Sequence, residues 1–192
     1  IACDTTEMEP VVKSALKMLV NDFQAVLSSD VCIGKEGNII INKDTTLLDK
    51  RKEAFQLKVS DDQLYVTGSD AHGVAYGILE ISRLIGVSPW EWWADVTPKK
   101  RESFTLPDSY ERVCYPSVEY RGIFINDEDW RLMPWSYKNY EKSPERGHIG
   151  SRTNEKIFEL KKKKKNNTYW PAMHECTKPF FLTDGNREIA AK

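Results

Sequence analysis

The residues best suited to chemistry stand in one short stretch, Asn126-Asp127-Glu128-Asp129. The apolar run Ile123-Phe124-Ile125 leads straight into it, with no turn residue between. Carboxylates grouped in this way can hold hydroxyls or move protons, depending on what surrounds each one. Three in succession also repel one another, an odd choice for a merely structural loop. A solvated loop or a helix N-cap would use the same residue types. A second group, Trp170, His174 and Glu175, comes later. Aromatic rings stack on sugar faces and carboxylates take sugar hydroxyls, so the two groups together would suit a carbohydrate. His174-Glu175 lacks the second histidine of a zinc-protease helix motif, so no metal site is expected. His174 reads either as a sugar contact or as a satisfied structural residue, with the structural role slightly favoured.

These groups must be held by strands. β-branched and aromatic residues favour a buried pleat, so Ser117 to Ile125 reads as a strand with the acidic cluster at its C-terminal end. In open α/β sheets and α/β barrels that is the end where ligands bind. Trp130 to Gly150 is long for a plain connector and reads as a binding loop. A helix is expected to begin near Ser151-Arg152-Thr153, with Ile157 and Leu160 on its apolar side. Thr168-Tyr169-Trp170 then starts a second strand. Strand, loop, helix and strand make one β-α-β unit with parallel strands. Trp170, His174 and Glu175 should therefore share an edge with Asp127 and Glu128.

The earlier part of the chain has a different pattern. Residues 8–28 place Val12, Leu16, Leu19, Phe23, Val26 and Leu27 at helical spacing, with Pro10 in the first turn. Val31-Cys32-Ile33 and Asn38 to Ile41 read as short strands, and Asn42 to Glu53 as a loop. Residues 54–59 and 63–67 alternate around Ser60-Asp61-Asp62, which predicts a hairpin. A helix follows from about Ala71 to Ile85, with Ser69 or Asp70 as cap and Gly86 as its stop. Gly73 and Gly77 weaken that helix by roughly 1 kcal/mol each and so suggest close approach to a sheet. Pro89 to Asp95 carries Trp90, Trp92 and Trp93, which either pack a domain junction or form a sugar platform. Junction packing is the better fit, because a polar linker follows at once. The boundary is expected between 98 and 117, giving domains 1–105 and 106–192.

Global properties exclude several classes. Of 192 residues 40% are hydrophobic and 30% charged, and the net charge is −1. That balance supports a packed core and gives no reason to expect nucleic acid. No apolar run is long enough for a membrane span. No signal peptide is evident, and the start at Ile1-Ala2-Cys3 reads as processed or trimmed. Cys3, Cys32, Cys114 and Cys176 are scattered without a C-x-x-C pair, so neither zinc nor disulfides follow from them. Gly34-Lys35-Glu36-Gly37 is no phosphate loop, and Asn166-Asn167-Thr168 matches the glycosylation pattern only weakly.

Three segments are similar to one family: Gly68-Ser69-Asp70 through Trp93-Ala94-Asp95, Tyr120 through Glu128, and Trp170-Pro171-Ala172-Met173. In that order they resemble glycoside hydrolase family 115, the xylan α-1,2-glucuronidases. The resemblance implies an α+β N-terminal domain, with a mixed sheet and two helices, followed by the first β-α-β unit of a (β/α)8 barrel. It implies removal of glucuronic acid, or its 4-O-methyl ether, from xylan or related glycans with inversion and without metal or other cofactor. A periplasmic or secreted location goes with it. Asn126, Asp127, Glu128 and Trp170 match substrate-binding positions, with His174 and Glu175 as further candidates. A full barrel needs about 250 residues. Inversion needs two carboxyls roughly 6.5–9.5 Å apart, which the family takes from later strands. No catalytic residue is therefore expected within this chain, and it should be inactive alone. Family members are mostly apolar where Lys161 to Lys165 stand. The run reads as a solvated helix end in preference to a nucleic-acid patch. A hexosaminidase-like glycosidase and a non-catalytic carbohydrate-binding module are the alternatives.

Overall fold

The computed structural model describes residues 1–4, 6, 8–27, 31–172 and 174–192. Two compact units divide the chain, Ile1–Glu119 and Tyr120–Lys192. The first unit contains α1 (Pro10–Leu27), β1 (Ile39–Lys43), the single turn α2 (Leu47–Lys50), β2 (Phe55–Ser60), β3 (Gln63–Gly68), α3 (Ala71–Leu84) and β4 (Glu111–Cys114). The second contains β5 (Gly122–Ile125), α4 (Leu132–Trp135), α5 (Ser151–Lys163), β6 (Thr168–Pro171) and α6 (Asn186–Ala190). The far end of the first predicted helix, Ser28, and Met173 of the third family segment lie outside the described residues.

In the first unit the sheet order is β1-β3-β2-β4. β1 runs parallel to β3 and the other pairs are antiparallel, so the sheet is mixed. The β2–β3 hairpin turns through Asp61 and Asp62, both at positive φ, as a two-residue turn matched to strand twist requires. α1 and α3 pack together and cover the sheet. Leu16, Leu19 and Val26 meet Phe55, Leu57, Val66, Ile78 and Ile81 in one core cluster, each at most 2% exposed. A Cβ on Gly73 would lie 2.2 Å from the Ala54 carbonyl oxygen, and one on Gly77 would lie 2.7 Å from Val66 Cγ1. Both glycines serve the close approach their positions suggested. Of the two cap candidates, Asp70 accepts from Gly73 N at 2.8 Å, while Ser69 Oγ accepts from Ala54 N at 3.0 Å.

Three readings of the sequence need correction here. Val31-Cys32-Ile33 forms no strand. Ala2 pairs instead beside β1, donating to Ile39 O at 2.7 Å and accepting from Ile41 N at 3.1 Å. The stretch 42–53 is not all loop, since Lys43 ends β1 and 47–50 winds through a left-handed turn at Leu48 and Asp49. The division after Glu119 lies later than 105/106 because β4 joins the first sheet alongside β2. Glu80, 1% exposed, helps hold β4: its Oε1 accepts from Arg83 Nε at 2.7 Å on α3 and pairs with Arg112 Nε of β4 at 2.9 Å.

Candidate functional site

The site is built on the two strands of the second unit. β5 and β6 pair in parallel, with Ile123 opposite Tyr169, Phe124 opposite Trp170 and Ile125 opposite Pro171. Glycine is required at 122, where a Cβ would come within 2.5 Å of the Thr168 carbonyl oxygen. Strand alternation then sorts the side chains. Tyr169 turns toward α5 and meets Phe158 edge-on at 5.4 Å and Phe180 at 5.9 Å. Burial, with the Asp127 charge as a smaller contribution, pushes its phenol well above the usual range. Phe124 and Trp170 turn the other way and meet edge-to-face at 6.0 Å. They remain 58% and 65% exposed.

The acidic cluster stands at the C-terminal end of β5, as its position in sequence implies, but its members differ. Asn126 and Asp129 are exposed, Glu128 is half-buried and Asp127 is buried. Asp127 Oδ1 accepts from His174 N at 3.1 Å. The Asp127 carbonyl accepts from Thr177 Oγ1 at 2.8 Å. One side chain and its own backbone thus tie the two strand ends together. This joins Asp127 to the turn carrying His174 and Glu175, both exposed. The structure therefore brings Asn126, Asp127, Glu128, Trp170, His174 and Glu175 to one end of the β5–β6 pair. Sequence reasoning missed Phe124 as the ring partner of Trp170. The alternation of Ile123, Phe124 and Ile125 was the available signal, once the register was known.

The segment 130–150 is not a plain loop. Leu132–Trp135 forms α4 and runs into a wider turn at Ser136–Tyr140, closed by Glu141 N donating to Ser136 O at 2.7 Å. Met133 and Ser136, three apart, are its buried face. Trp135 stacks on Tyr140 at 5.3 Å. Buried polar groups then seat the start of α5. Glu141 Oε1 accepts from Thr153 N at 2.7 Å and from Thr153 Oγ1 at 2.8 Å. Asn154 Nδ2 donates to Gly150 O and to Asn186 Oδ1, both at 3.1 Å, and Asn186 Nδ2 donates to Ile149 O at 2.9 Å. Free helix-end groups find partners in this way without a side-chain cap.

The lysine run is not wholly solvated. Lys164 is exposed, but Lys161 is 6% exposed, with Nζ 5.3 Å from the Phe158 ring and 5.6 Å from that of Tyr169. Lys161 takes the inward position that the helical stripe gives to an apolar residue. Burial first, then the charge of Lys162, lowers its ammonium to about 8.

In the first unit Trp92 and Trp93 are half-buried and meet at 86°. Perpendicular rings of this kind do not offer one flat face to a sugar. Among the described residues no group of three or more His, Cys, Asp or Glu side chains is placed to hold a metal ion. Among them, too, no helix is long and apolar enough to cross a membrane. The four cysteines are free thiols.

Comparison with known proteins follows the same lines. Residues 114–192 match the model of glycosyl hydrolase family 115. Over 99% of its length the chain is 56% identical, with a TM-score of 0.93, to BtGH115A, a family GH115 4-O-methyl-alpha-glucuronidase with specificity for decorated arabinogalactans. It spans 27% of that protein. At 12% identity and a TM-score of 0.58, 88% of the chain also matches 29% of a Streptomyces plicatus N-acetyl-beta-hexosaminidase. A GH138 enzyme targeting pectin rhamnogalacturonan II matches 88% of the chain over 18% of its own, at 16% identity and a TM-score of 0.53. Likeness at those identities concerns the fold alone.

Proposed function

This chain belongs to glycosyl hydrolase family 115, and we propose that it supplies the sugar-holding opening of an α-glucuronidase. The whole enzyme removes glucuronic acid, or its 4-O-methyl ether, from a decorated xylan or arabinogalactan outside the cytoplasm, with inversion. In this reading the N-terminal unit is an accessory domain, and β5, α5 and β6 are the first β-α-β unit of a (β/α)8 barrel. Phe124 and Trp170 then face the barrel interior. The observation that carries the reading is the parallel β5–β6 pairing, which sets Asn126 to Glu128 beside Trp170, His174 and Glu175.

Each residue has a distinct part. Asp127, buried and bonded to the neighbouring strand end, fixes the edge. Glu128 and Asn126, less covered, take sugar hydroxyls, and charge-assisted hydrogen bonds of this kind are the stronger ones. Trp170 offers an open ring to the sugar face. General acid and base come from strands beyond β6, so the chain alone is inactive.

The test is release of glucuronic acid by the longer enzyme containing this chain. Aldouronic oligosaccharides, a glucuronylated arabinogalactan and an N-acetylhexosaminide are offered in parallel. Release from either uronide, with the anomer inverted, is the expected result. Hydrolysis of the hexosaminide alone overturns the reading. Release from one uronide only assigns the glycan.

A further inference from the structure

The turn that follows β6 carries a cysteine that the glycoside reading leaves unused. Cys176 Sγ lies 3.2 Å from His174 Nδ1, within hydrogen-bond reach for sulfur. Three observations make this pair a built arrangement. Thr177 N donates to His174 O at 2.8 Å and closes the turn around Cys176. Asp127 grips the turn on both sides of the cysteine, through His174 N and Thr177 Oγ1. Lys178 N donates to Gly147 O at 3.0 Å and fixes the far side to the 147 loop. Cys176 is half-buried and His174 is exposed, so a small reagent can reach the pair. Of the four cysteines, Cys176 is the one with an imidazole hydrogen-bond partner among the described residues.

We propose that Cys176 and His174 form a thiol–imidazole pair that makes Cys176 a covalent modification site for soft carbon electrophiles. The thiolate is the nucleophilic form of cysteine, and a base at hydrogen-bond distance supplies it. The thiol proton passes to His174 Nδ1, sulfur forms the new S–C bond, and the leaving group departs with the electrons of the bond it breaks. With iodoacetamide as probe the products are a carbamidomethyl thioether and iodide. The proposal does not depend on the glycosidase reading, since it rests only on the geometry of this turn.

The experiment is timed labelling of the folded chain with a low concentration of iodoacetamide, followed by peptide mass spectrometry at all four cysteines. Cys32, exposed, is the internal standard. Cys176 is expected to label about tenfold faster than Cys32 despite its lower exposure. His174→Ala should bring Cys176 to the Cys32 rate or below while leaving Cys32 unchanged. That variant keeps the main-chain N–H that Asp127 accepts. Wild-type Cys176 labelling no faster than Cys32 overturns the proposal, as does an unchanged Cys176 rate in His174→Ala. Half-buried Cys114 reports on folding. If its labelling rises in the variant, the wild-type ranking of Cys176 against Cys32 decides.

Discussion

The two units of this chain solve the same problem in opposite ways. The first wraps α1, α3 and a four-stranded sheet around large apolar side chains, and Ile33, Trp90, Val96, Val113 and Tyr115, though exposed, each stay less than half exposed. The second has two strands, and it leaves Phe124, Trp130, Trp170, Phe181 and Leu182 each more than half exposed. Its interior is mixed, with Ser136, Thr153, Asn154, Lys161 and Asn186 buried alongside Met133, Ile149, Ile157, Leu160 and Phe180. A core held by apolar volume is self-sufficient, whereas one held by directed hydrogen bonds beside an open aromatic face is marginal. The first unit should therefore unfold later in urea than the second, with the second losing structure first.

The largest effect expected on that contrast is Phe55→Ala. Its ring is 1% exposed at the centre of the first core, and its loss should cost about 3–5 kcal/mol. Urea curves followed by circular dichroism should then show the two transitions merging or reversing order. If the transition of the first unit does not move, the apolar core is not what holds that unit.

Asp127→Ala comes next, because it leaves His174 N without its partner. Its loss should cost the second unit about 1–3 kcal/mol and leave the transition of the first unit where it was. An equal shift in both transitions would contradict the two-unit account.

Lys161→Met works in the opposite direction, widening stability in the weaker unit by about 1–3 kcal/mol. Lys164→Met, at an exposed site, should stay within about 0.5 kcal/mol. The sign of the pH dependence follows from the lowered lysine. Below about pH 8 both folded and unfolded chains hold its proton. Between about 8 and the ordinary value of 10.5 only the unfolded chain does, so stability rises with pH through that window. Lys161→Met should flatten the rise, and a rise that persists unchanged assigns it to another group.

The smallest change expected is at the hairpin. Asp62 sits at φ 59, and Asp62→Gly should gain about 0.5 kcal/mol in the first unit alone. A loss there would mean that the Asp62 side chain contributes more than its backbone strain costs.

Much of this contrast is legible in the sequence, and the part that is not has physical causes. The helical stripe of α1, the alternation of β2 and β3, and the cap at Asp70 are local signals, and each gives its element. The strand expected over Ser117 to Ile125 is equally local at its acidic end, but it begins only at Gly122. Burial of Asp127 is not, because it depends on the turn at His174 to Thr177, far along the chain. Burial of Glu80 depends in the same way on Arg112. Lys161 broke its own apolar stripe, so chemistry argued for solvent while helical position argued for the interior, and position prevailed. The Val31-Cys32-Ile33 run has strand composition, but Ala2 takes the place beside β1.

The central proposal is that this chain holds the uronic acid but does not perform the chemistry. Glu128→Gln in the longer enzyme tests it most directly, with binding of a glucuronic-acid oligosaccharide by titration calorimetry alongside kcat and KM. The account predicts affinity weakened about tenfold or more and KM raised to match. The remaining kcat should lie within about a hundredfold of the parent. Unchanged affinity with kcat reduced by about ten-thousandfold or more would contradict it, because Glu128 would then be part of the catalytic pair.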